Sequence, residues 1–450
     1  MDRNINLTEG NITRALTKLA LPIMGTSFVQ MMYNLTDMMW LGRLSTKAVA
    51  AAGTAGFFMW LGASLVLICQ VGVSVGVAQG HGRQDLDDVK KHISNGIKFN
   101  LFIGIIYSLL LIVFRNQVID FFNIRDVETI NLAVSYLVIV SCGFIFHFTN
   151  PIFSAIYNAS GNSLLPFIIS SCGLVTNMVL DPILIFGIGP IPALGIKGAA
   201  LATVLAQIIV TLIYIIVSRK NRELFSHLKL FSLPEKDYII RIFKLGFPAC
   251  LQSGVHAIIS MILTRILGQW GPTPVAVSSV GSQIESITWM TTEGFSTAIS
   301  AFVGQNYGAR NYERVKEGYY SGLKIVGAIG IFATFLLMFA GEPIFRIFTP
   351  EDSLAISQGK IYLWILGFSQ FFMAMEIASA GGFNGLGRTH IPAITGIVLN
   401  GLRVPSAMIL ASTALGMTGV WWSISVSSIF KGIILTSAMM YVLKKGLRFN

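Results

Sequence analysis

The sequence predicts an all-α integral membrane protein whose twelve transmembrane helices form two six-helix lobes related by an internal duplication. Hydrophobic residues make up 54% of the chain and charged residues only 12%, whereas soluble domains contain about 25% charged residues. Long apolar segments recur through both halves, and each is long enough to cross a hydrocarbon core, which takes about 20 helical residues. Residues from about 16 to 218 reappear, shifted by 226 positions, from about 242 to 443.

The duplication rests on motifs that return at one constant offset. Because such matches across a whole half are rare by chance, they indicate an internal repeat. The matched motifs are Lys18-Leu19-x-x-Pro22 with Lys244-Leu245-x-x-Pro248, Gln79-x-x-Gly82 with Gln305-x-x-Gly308, and Gly161-x-x-x-x-Pro166 with Gly387-x-x-x-x-Pro392. One further match needs a five-residue slip, which pairs Ala193-Leu194-Gly195-x-x-Gly198 with Ala414-Leu415-Gly416-x-x-Gly419.

The apolar segments are predicted to be helices. They are nearly continuous in apolar residues, whereas the strands of a transmembrane barrel alternate over about 10 residues. Prolines inside the segments, such as Pro22, Pro182 and Pro405, predict kinks. The segments cover residues 17–41, 48–78, 93–114, 128–155, 160–188, 194–218, 242–270, 275–304, 318–340, 355–383, 390–412 and 417–443.

Basic residues predict the orientation in the membrane. Most Lys and Arg residues lie near the termini, in the 219–241 connection and in alternate short turns, and such segments stay cytoplasmic. Both termini are then cytoplasmic, in a multi-pass protein of the plasma (inner) membrane, and the net charge of +11 is explained without nucleic-acid binding. The predicted order is a cytoplasmic N-terminal segment (1–15), an N-lobe (16–218), a cytoplasmic linker (219–241), a C-lobe (242–443) and a cytoplasmic basic tail (444–450).

The sequence offers no soluble catalytic domain. It contains no Gly-x-x-x-x-Gly-Lys-Ser/Thr loop that would hold a nucleotide, and its six histidines are scattered. The protein is therefore predicted to be neither an enzyme nor an ATP-driven pump, and to need no cofactor. Its function is expected to lie within the helices.

Polar side chains inside the first half are the main functional candidates, because a charge at the bilayer centre costs at least about 2.5–3.5 kcal/mol. Asp37 lies on one face of the first helix with Tyr33 and Asn34, at helical spacing. Asn177 and Asp181 are one turn apart in the fifth segment. The candidate cation- or proton-binding residues are Tyr33, Asn34, Asp37, Asn177, Asp181 and Thr203.

This set of residue types allows three interpretations. Carboxylate, amide and hydroxyl oxygens suit a hard cation such as Na⁺, which would bind at Asp37, Asn177, Asp181 and Thr203. Two nearby carboxylates can instead share one proton, since both do not ionise cheaply together. In the third interpretation, the two acids are hydrogen-bonded packing groups without a role in transport.

The repeat favours a functional role for the acids. At the constant offset, Asp37 becomes Leu263 and Asp181 becomes Ala407, or Val404 if the prolines are matched instead. The repeated scaffold therefore does not require these carboxyl groups, which belong to the first half alone.

The second half contains its own ionisable groups inside the predicted helices. Glu285 and Glu293 are eight residues apart and so share a helix face, which suits a cation-lined cavity. Alternatively, Arg403 or Lys431 neutralises Glu293 and Glu376 in structural pairs, and the histidine is an ordinary interior residue. The candidates for a second-lobe cavity or proton site are Glu285, Glu293, Glu376 and His256.

Three stretches resemble a known family. They are a first helix with an embedded Asp, the sequence VGVAQGHGRQD after the second helix, and GSQIESITWM followed by AFVGQNYGARNYERVKEG after the eighth. Together they resemble the prokaryotic type of the multidrug and toxic compound extrusion (MATE) family of cation-coupled exporters, over essentially the whole chain. The VGQNYGA segment with its upstream IES is fairly specific for the family, whereas an intramembrane Asp alone is a weak indication.

The resemblance implies two helix bundles that form a V around a central cavity, which opens alternately to the two sides of the membrane. It also implies that Asp37, Asn177, Asp181 and Thr203 form the first-lobe cation site. The chain departs from the family at His256, where many members carry an acid, and at Met373, which occupies the acid position of the tenth helix. These departures count against a second-lobe cation site of the usual kind.

The predicted function is secondary active efflux of amphipathic or cationic drugs or toxic compounds, coupled to H⁺ or Na⁺ entry by alternating access. We expect a monomer in the lipid bilayer that handles small molecules and binds no nucleic acid. The alternative is a flippase for lipid-linked or cell-wall precursors, for which basic residues along the cavity are expected. A membrane-embedded enzyme would instead cluster His, Asp or Ser groups near one membrane face.

Overall fold

The computed structural model describes residues 5–122, 124, 126–190, 192–226, 232–348 and 352–446, and this part of the chain is all-α. The first half contains α1 (Ile12–Leu44), α2 (Thr46–Gly82), α3 (Leu86–Val113), α4 (Arg115–Asp120), α5 (Val127–Ala159), α6 (Leu164–Phe186), α7 (Ile196–Lys220) and α8 (Arg222–Phe225). The second half contains α9 (Lys236–Leu267), α10 (Pro272–Gly308), α11 (Tyr312–Phe339), α12 (Gly341–Phe348), α13 (Ser353–Gly385), α14 (His390–Gly401), α15 (Arg403–Ala411) and α16 (Met417–Lys445).

Each of the twelve predicted spans coincides with a long helix or, once, with a pair of helices. Ten helical segments within the described ranges are long and apolar enough to cross a membrane. The two other long helices, α1 and α10, have 33 and 37 residues. They are less apolar because they carry polar side chains that the sequence singled out, including Asp37 on α1 and Glu285 and Glu293 on α10.

The span predicted for residues 390–412 is divided in two. Helix α14 ends at Gly401 and α15 begins at Arg403. Pro405 explains the break, because it lacks the N–H that would bond to the carbonyl of Gly401 and its ring crowds that carbonyl. Pro22 and Pro182 also lie in predicted spans, but there the helix continues on both sides of the proline.

The helices group into two compact units. Among the described residues, the first unit takes residues 25–247 and the second takes residues 5–24 and 248–446. Helices α1 and α9 therefore belong to both units, and each changes unit beside the proline of a repeated motif. The lobe limits of 16–218 and 242–443 follow the repeat and stay a prediction; the compact units differ from them in the first turns of α1 and α9.

Buried side chains at the start of α1 and α9 explain this division. Leu16 and Leu19 of α1 are fully buried in a hydrophobic cluster with residues of α10, α11, α13 and α16. Ile242 of α9, which corresponds to Leu16 in the repeat, is fully buried among residues of α2, α3, α5, α6 and α7. Burial of apolar surface stabilises each helix start in its unit.

We predict that Gly246→Ala in α9 destabilises the protein, because a Cβ there would lie 1.8 Å from the carbonyl oxygen of Ile68 on α2. Backbone atoms must then move apart, and such overpacking costs about 1–3 kcal/mol. Gly254→Ala in the same helix is the matched control, since a Cβ at Gly254 has nothing within 4 Å. Thermal unfolding of the purified variants checks this, and equal stability of the two would contradict it.

Candidate functional site

Helix α1 brings Tyr33 and Asp37 into the first unit and leaves Asn34 exposed. The side chain of Tyr33 is buried and that of Asp37 is partly buried. The predicted polar face therefore turns inward at only two of its three candidate positions. Asn34 makes none of the hydrogen bonds of the cluster around Asp37 that are described below.

The predicted residues of α6 and α7 meet Asp37. Asn177 Nδ2 donates to Asp37 Oδ1 at 3.4 Å and to Asp181 Oδ1 at 3.2 Å. Thr203 Oγ1 donates to Asp37 Oδ2 at 3.4 Å, and the hydroxyl of Tyr33 donates to the Thr203 carbonyl at 3.4 Å. Five of the six first-half candidates thus lie together, in what we call the Asp37 cluster: Tyr33, Asp37, Asn177, Asp181 and Thr203.

The Asp37 cluster leaves acceptor oxygens unsatisfied. Asn177 and Asp181 are fully buried, yet Asn177 Oδ1 and Asp181 Oδ2 have no hydrogen-bond partner. The contacts of 3.2–3.4 Å are also longer than the ordinary hydrogen-bond length of about 2.9–3.0 Å. Buried acceptors are normally paired, because an unpaired one costs about 1–3 kcal/mol. These oxygens suit a cation or a shared proton as a ligand, and Asp37, Asn177, Asp181 and Thr203 are the residues that would hold Na⁺.

A buried tyrosine that the sequence reasoning missed completes the cluster. Tyr136 on α5 is 4% exposed, and its hydroxyl interacts with the side chain of Thr203 near both carboxyl groups. At the repeat offset Tyr136 corresponds to Tyr362, whose hydroxyl donates to Glu285 Oε2 at 3.0 Å. A tyrosine at the same position of both repeats, each inside an apolar segment, is the signal that would have found it.

Glu285 is held by two donors in the second unit. Besides Tyr362, Gln370 Nε2 on α13 donates to Glu285 Oε1 at 2.7 Å. Tyr362 in turn packs edge-on against Trp421, with ring centroids 5.3 Å apart. The carboxyl group of Glu285 is therefore positioned by uncharged donors on one neighbouring helix.

The two basic residues that the sequence singled out in the second half have different partners. Lys431 Nζ forms an ion pair with Glu376 Oε1 at 2.9 Å, and both side chains are about nine-tenths buried. Arg403 donates to the hydroxyls of Ser427 and Ser428 at 2.5 and 3.0 Å. Of the structural pairs that the sequence allowed for Glu293 and Glu376, the structure contains the pair of Glu376 with Lys431.

Within the described residues, the two remaining second-half candidates take part in no ion pair. Glu293 is exposed on its unit. His256 is also exposed, although it lies within electrostatic range of Arg403 and Lys431. Glu285, Glu376 and His256 thus all lie within electrostatic range of Arg403, whereas Glu293 shows no such interaction in the described part of the chain.

A model of the MatE family matches residues 22–183 and 248–409. Together the two segments make up more than half of the chain, and they are displaced by 226 positions, the offset of the predicted repeat. The chain belongs to the MATE family. It is therefore a multi-pass transporter of the membrane, and the family resemblance predicted from its motifs is confirmed.

Individual MATE relatives match nearly the whole chain. The chain is 28% identical over 431 residues to the probable multidrug resistance protein NorM of Thermotoga maritima, covering 94% of this chain and 91% of the relative. It is 23% identical to the multidrug export protein MepA of Staphylococcus aureus, covering 92% of this chain and 91% of the relative.

Solved structures confirm the fold. A MATE family transporter of the MOP superfamily in an outward-facing conformation aligns with a TM-score of 0.91 and 22% identity, over 99% of each chain. A MOP superfamily transporter from Pyrococcus furiosus aligns with a TM-score of 0.91 and 23% identity, over 99% of this chain and 100% of that one. The predicted fold class, twelve transmembrane helices in two lobes, is therefore correct.

Proposed function

We propose that this MATE protein exports amphipathic or cationic compounds in exchange for H⁺ or Na⁺, and that the ion binds at the Asp37 cluster. One observation carries the proposal: Asp37 and Asp181 are neighbouring intramembrane acids without a basic partner. No ion pair in the described ranges includes either carboxyl group. Uncompensated acids inside a membrane are costly and mark ion pathways.

The proposed mechanism couples the ion to α1. An ion or proton that enters the Asp37 cluster neutralises repulsion between the carboxyl groups and draws their oxygens together. Because Asp37 is on α1, this shifts the helix, which bends near Pro22. For such coupling, ion and cargo must favour different conformations of the protein, so ion binding lowers the affinity for cargo and releases it outside.

The proposed cargo class follows from Asp37 and Asp181, the two acids of the Asp37 cluster. Acids without basic partners attract cations rather than anions, and the relatives NorM and MepA are named for multidrug resistance and export. We further propose that the protein works as a monomer in the plasma (inner) membrane with both termini in the cytoplasm. That orientation retains most basic residues on the inner side.

The flippase alternative receives less support. A lipid-linked anionic headgroup needs accessible basic side chains, but Lys431 is paired with Glu376 and Arg403 is hydrogen-bonded to serines, and both are less than a tenth exposed. Their charges are already engaged within the second unit.

Proteoliposomes with imposed gradients test the proposed function. We expect efflux of a cationic dye to accelerate when an inward gradient of either H⁺ or Na⁺ is applied, and the effective gradient identifies the coupling ion. Liposomes without protein are the control. Dye movement that is insensitive to both gradients would contradict ion coupling, and movement of fluorescent lipid without dye efflux would support the flippase instead.

A further inference from the structure

One arginine ties the N-terminal segment, residues 5–11, to the second unit. Arg314, in the first turn of α11, donates from Nε to the carbonyl of Leu7 at 3.2 Å, from Nη1 to that of Gly10 at 3.0 Å and from Nη2 to that of Glu9 at 2.6 Å. Its guanidinium also lies over the Phe302 ring, 5.3 Å from the centroid. A planar group with five N–H donors suits such a set of diverging carbonyls.

Further contacts hold the N-terminal segment against the same unit. The side chain of Leu7 is fully buried in the hydrophobic cluster of the second unit. Asn306 Nδ2 also donates to the Leu7 carbonyl at 3.0 Å. Together with the three donors of Arg314, these contacts anchor residues 5–11 within the second unit.

The repeat places a second anchor at the same position. Arg314 corresponds to Asp88 at the offset of 226. Asp88 Oδ1 accepts a hydrogen bond at 2.9 Å from the hydroxyl of Tyr238, in the first turn of α9. Each repeat therefore uses this position to hold the start of a helix that continues into the other unit, through a base in one case and an acid in the other.

The anchor at Arg314 bears on coupling because of what α1 carries. Helix α1 belongs to the second unit as far as Met24, and to the first unit from Gly25 onward, which includes Asp37. Pro22 lies beside this junction and removes one helical hydrogen bond there. Arg314 adds to the hold that the buried Leu16 and Leu19 have on the start of α1. With its start held in this way, α1 responds to a displacement of Asp37 by bending at the junction. A loosened start yields to the displacement, and the bend is reduced.

We propose that Arg314 is a positioning residue for transport, which anchors the start of α1 so that ion binding at Asp37 is transmitted to the second unit. This inference rests on the proposed ion-coupled export. It separates binding from turnover: without the anchor, the ion still binds the Asp37 cluster, but its binding no longer drives the cargo step.

The test uses the full-length protein with Arg314→Ala, Arg314→Lys and, as a matched control, Lys316→Ala, which removes an exposed charge two residues away. In Arg314→Ala we expect the hydrogen-bonded amides of Thr8, Arg14 and Ala15, which lie in this segment and at the start of α1, to exchange hydrogen at least about tenfold faster, the equivalent of one lost charge-assisted hydrogen bond. Ion-driven dye efflux per folded molecule should also fall at least about tenfold, because the loss of one such hydrogen bond corresponds to a factor of about ten. The half-saturating ion concentration, read from tryptophan fluorescence with Asp37→Asn as the blank, should stay within about twofold.

The outcomes are distinguishable. Arg314→Lys keeps the charge but not the fork of donors, so it should fold and show an intermediate efflux rate even if Arg314→Ala folds poorly. Wild-type efflux per folded molecule in both variants, or a parallel loss of ion binding, would overturn the inference while leaving ion-driven export of the wild type intact. Absence of ion-driven efflux in the wild type would instead refute the proposed function.

Discussion

Asp37→Asn is expected to abolish ion-driven efflux while leaving folded protein in the membrane. Asn has nearly the same shape as Asp but neither ionises nor accepts a proton at neutral pH, so the carboxyl pair of the Asp37 cluster is lost. Efflux should fall by roughly two orders of magnitude, the upper range of typical coupling between two sites. The measurement is dye efflux from proteoliposomes that contain equal amounts of folded protein.

Stability should not suffer in this variant, because the carboxyl group of Asp37 lacks a basic partner and its removal leaves no opposite charge unpaired. Asp120→Asn on α4 is the matched control, since Asp120 is an exposed acid outside the cluster. It should transport as the wild type does. Efflux at the wild-type rate by Asp37→Asn would show that Asp37 is only a packing group.

Lys431→Ala is expected to cause the largest loss of stability. It leaves the buried carboxyl group of Glu376 without its ion-pair partner, and breaking a buried pair in this way costs about 3–5 kcal/mol in the free energy of unfolding. Thermal unfolding of the purified protein in detergent measures the loss. Lys360→Ala is the control, because Lys360 pairs with Glu342 at 3.1 Å in an exposed position, where pairs contribute about 0–1 kcal/mol.

A double variant separates the charge effect from simple loss of volume. Lys431→Met combined with Glu376→Gln removes both charges and keeps most of the volume, so it should recover much of the lost stability, as replacement of buried pairs by uncharged residues often does. If the double variant were as unstable as Lys431→Ala, the packing of the lysine stem would be responsible rather than the unpaired acid.

The sequence predicted most of the fold and the main site because both leave local patterns. Long apolar segments mark the helices, and helical spacing places Tyr33 and Asp37 on one face and Asn177 with Asp181 on another. The limited tolerance of a membrane interior for charge then brings such faces together. Asn34 shows the limit of this argument, because spacing alone does not say which edge of a polar face is covered by the neighbouring helix.

Other features depend on contacts between distant parts of the chain. The pairing of Glu376 with Lys431 rather than Arg403 follows from how α13, α15 and α16 pack. The exposure of Glu293 depends on which face of α10 its neighbours leave uncovered. Likewise, the end of helix α14 at Gly401 follows from Pro405. Pro22 and Pro182 also lie inside predicted spans, but α1 and α6 continue through them. Sequence patterns mark the prolines without deciding which of them ends a helix.

The central claim is that ion movement and cargo movement are linked through the Asp37 cluster. Its most direct test measures ion movement that is driven by a cargo gradient. Proteoliposomes receive a gradient of cargo but no ion gradient, and the movement of H⁺ and Na⁺ is recorded. Because coupling between two ligands is reciprocal, cargo moving out should drive one of these ions in through the wild type and not through Asp37→Asn. Cargo that equilibrates through the wild type without any movement of either ion would contradict the claim.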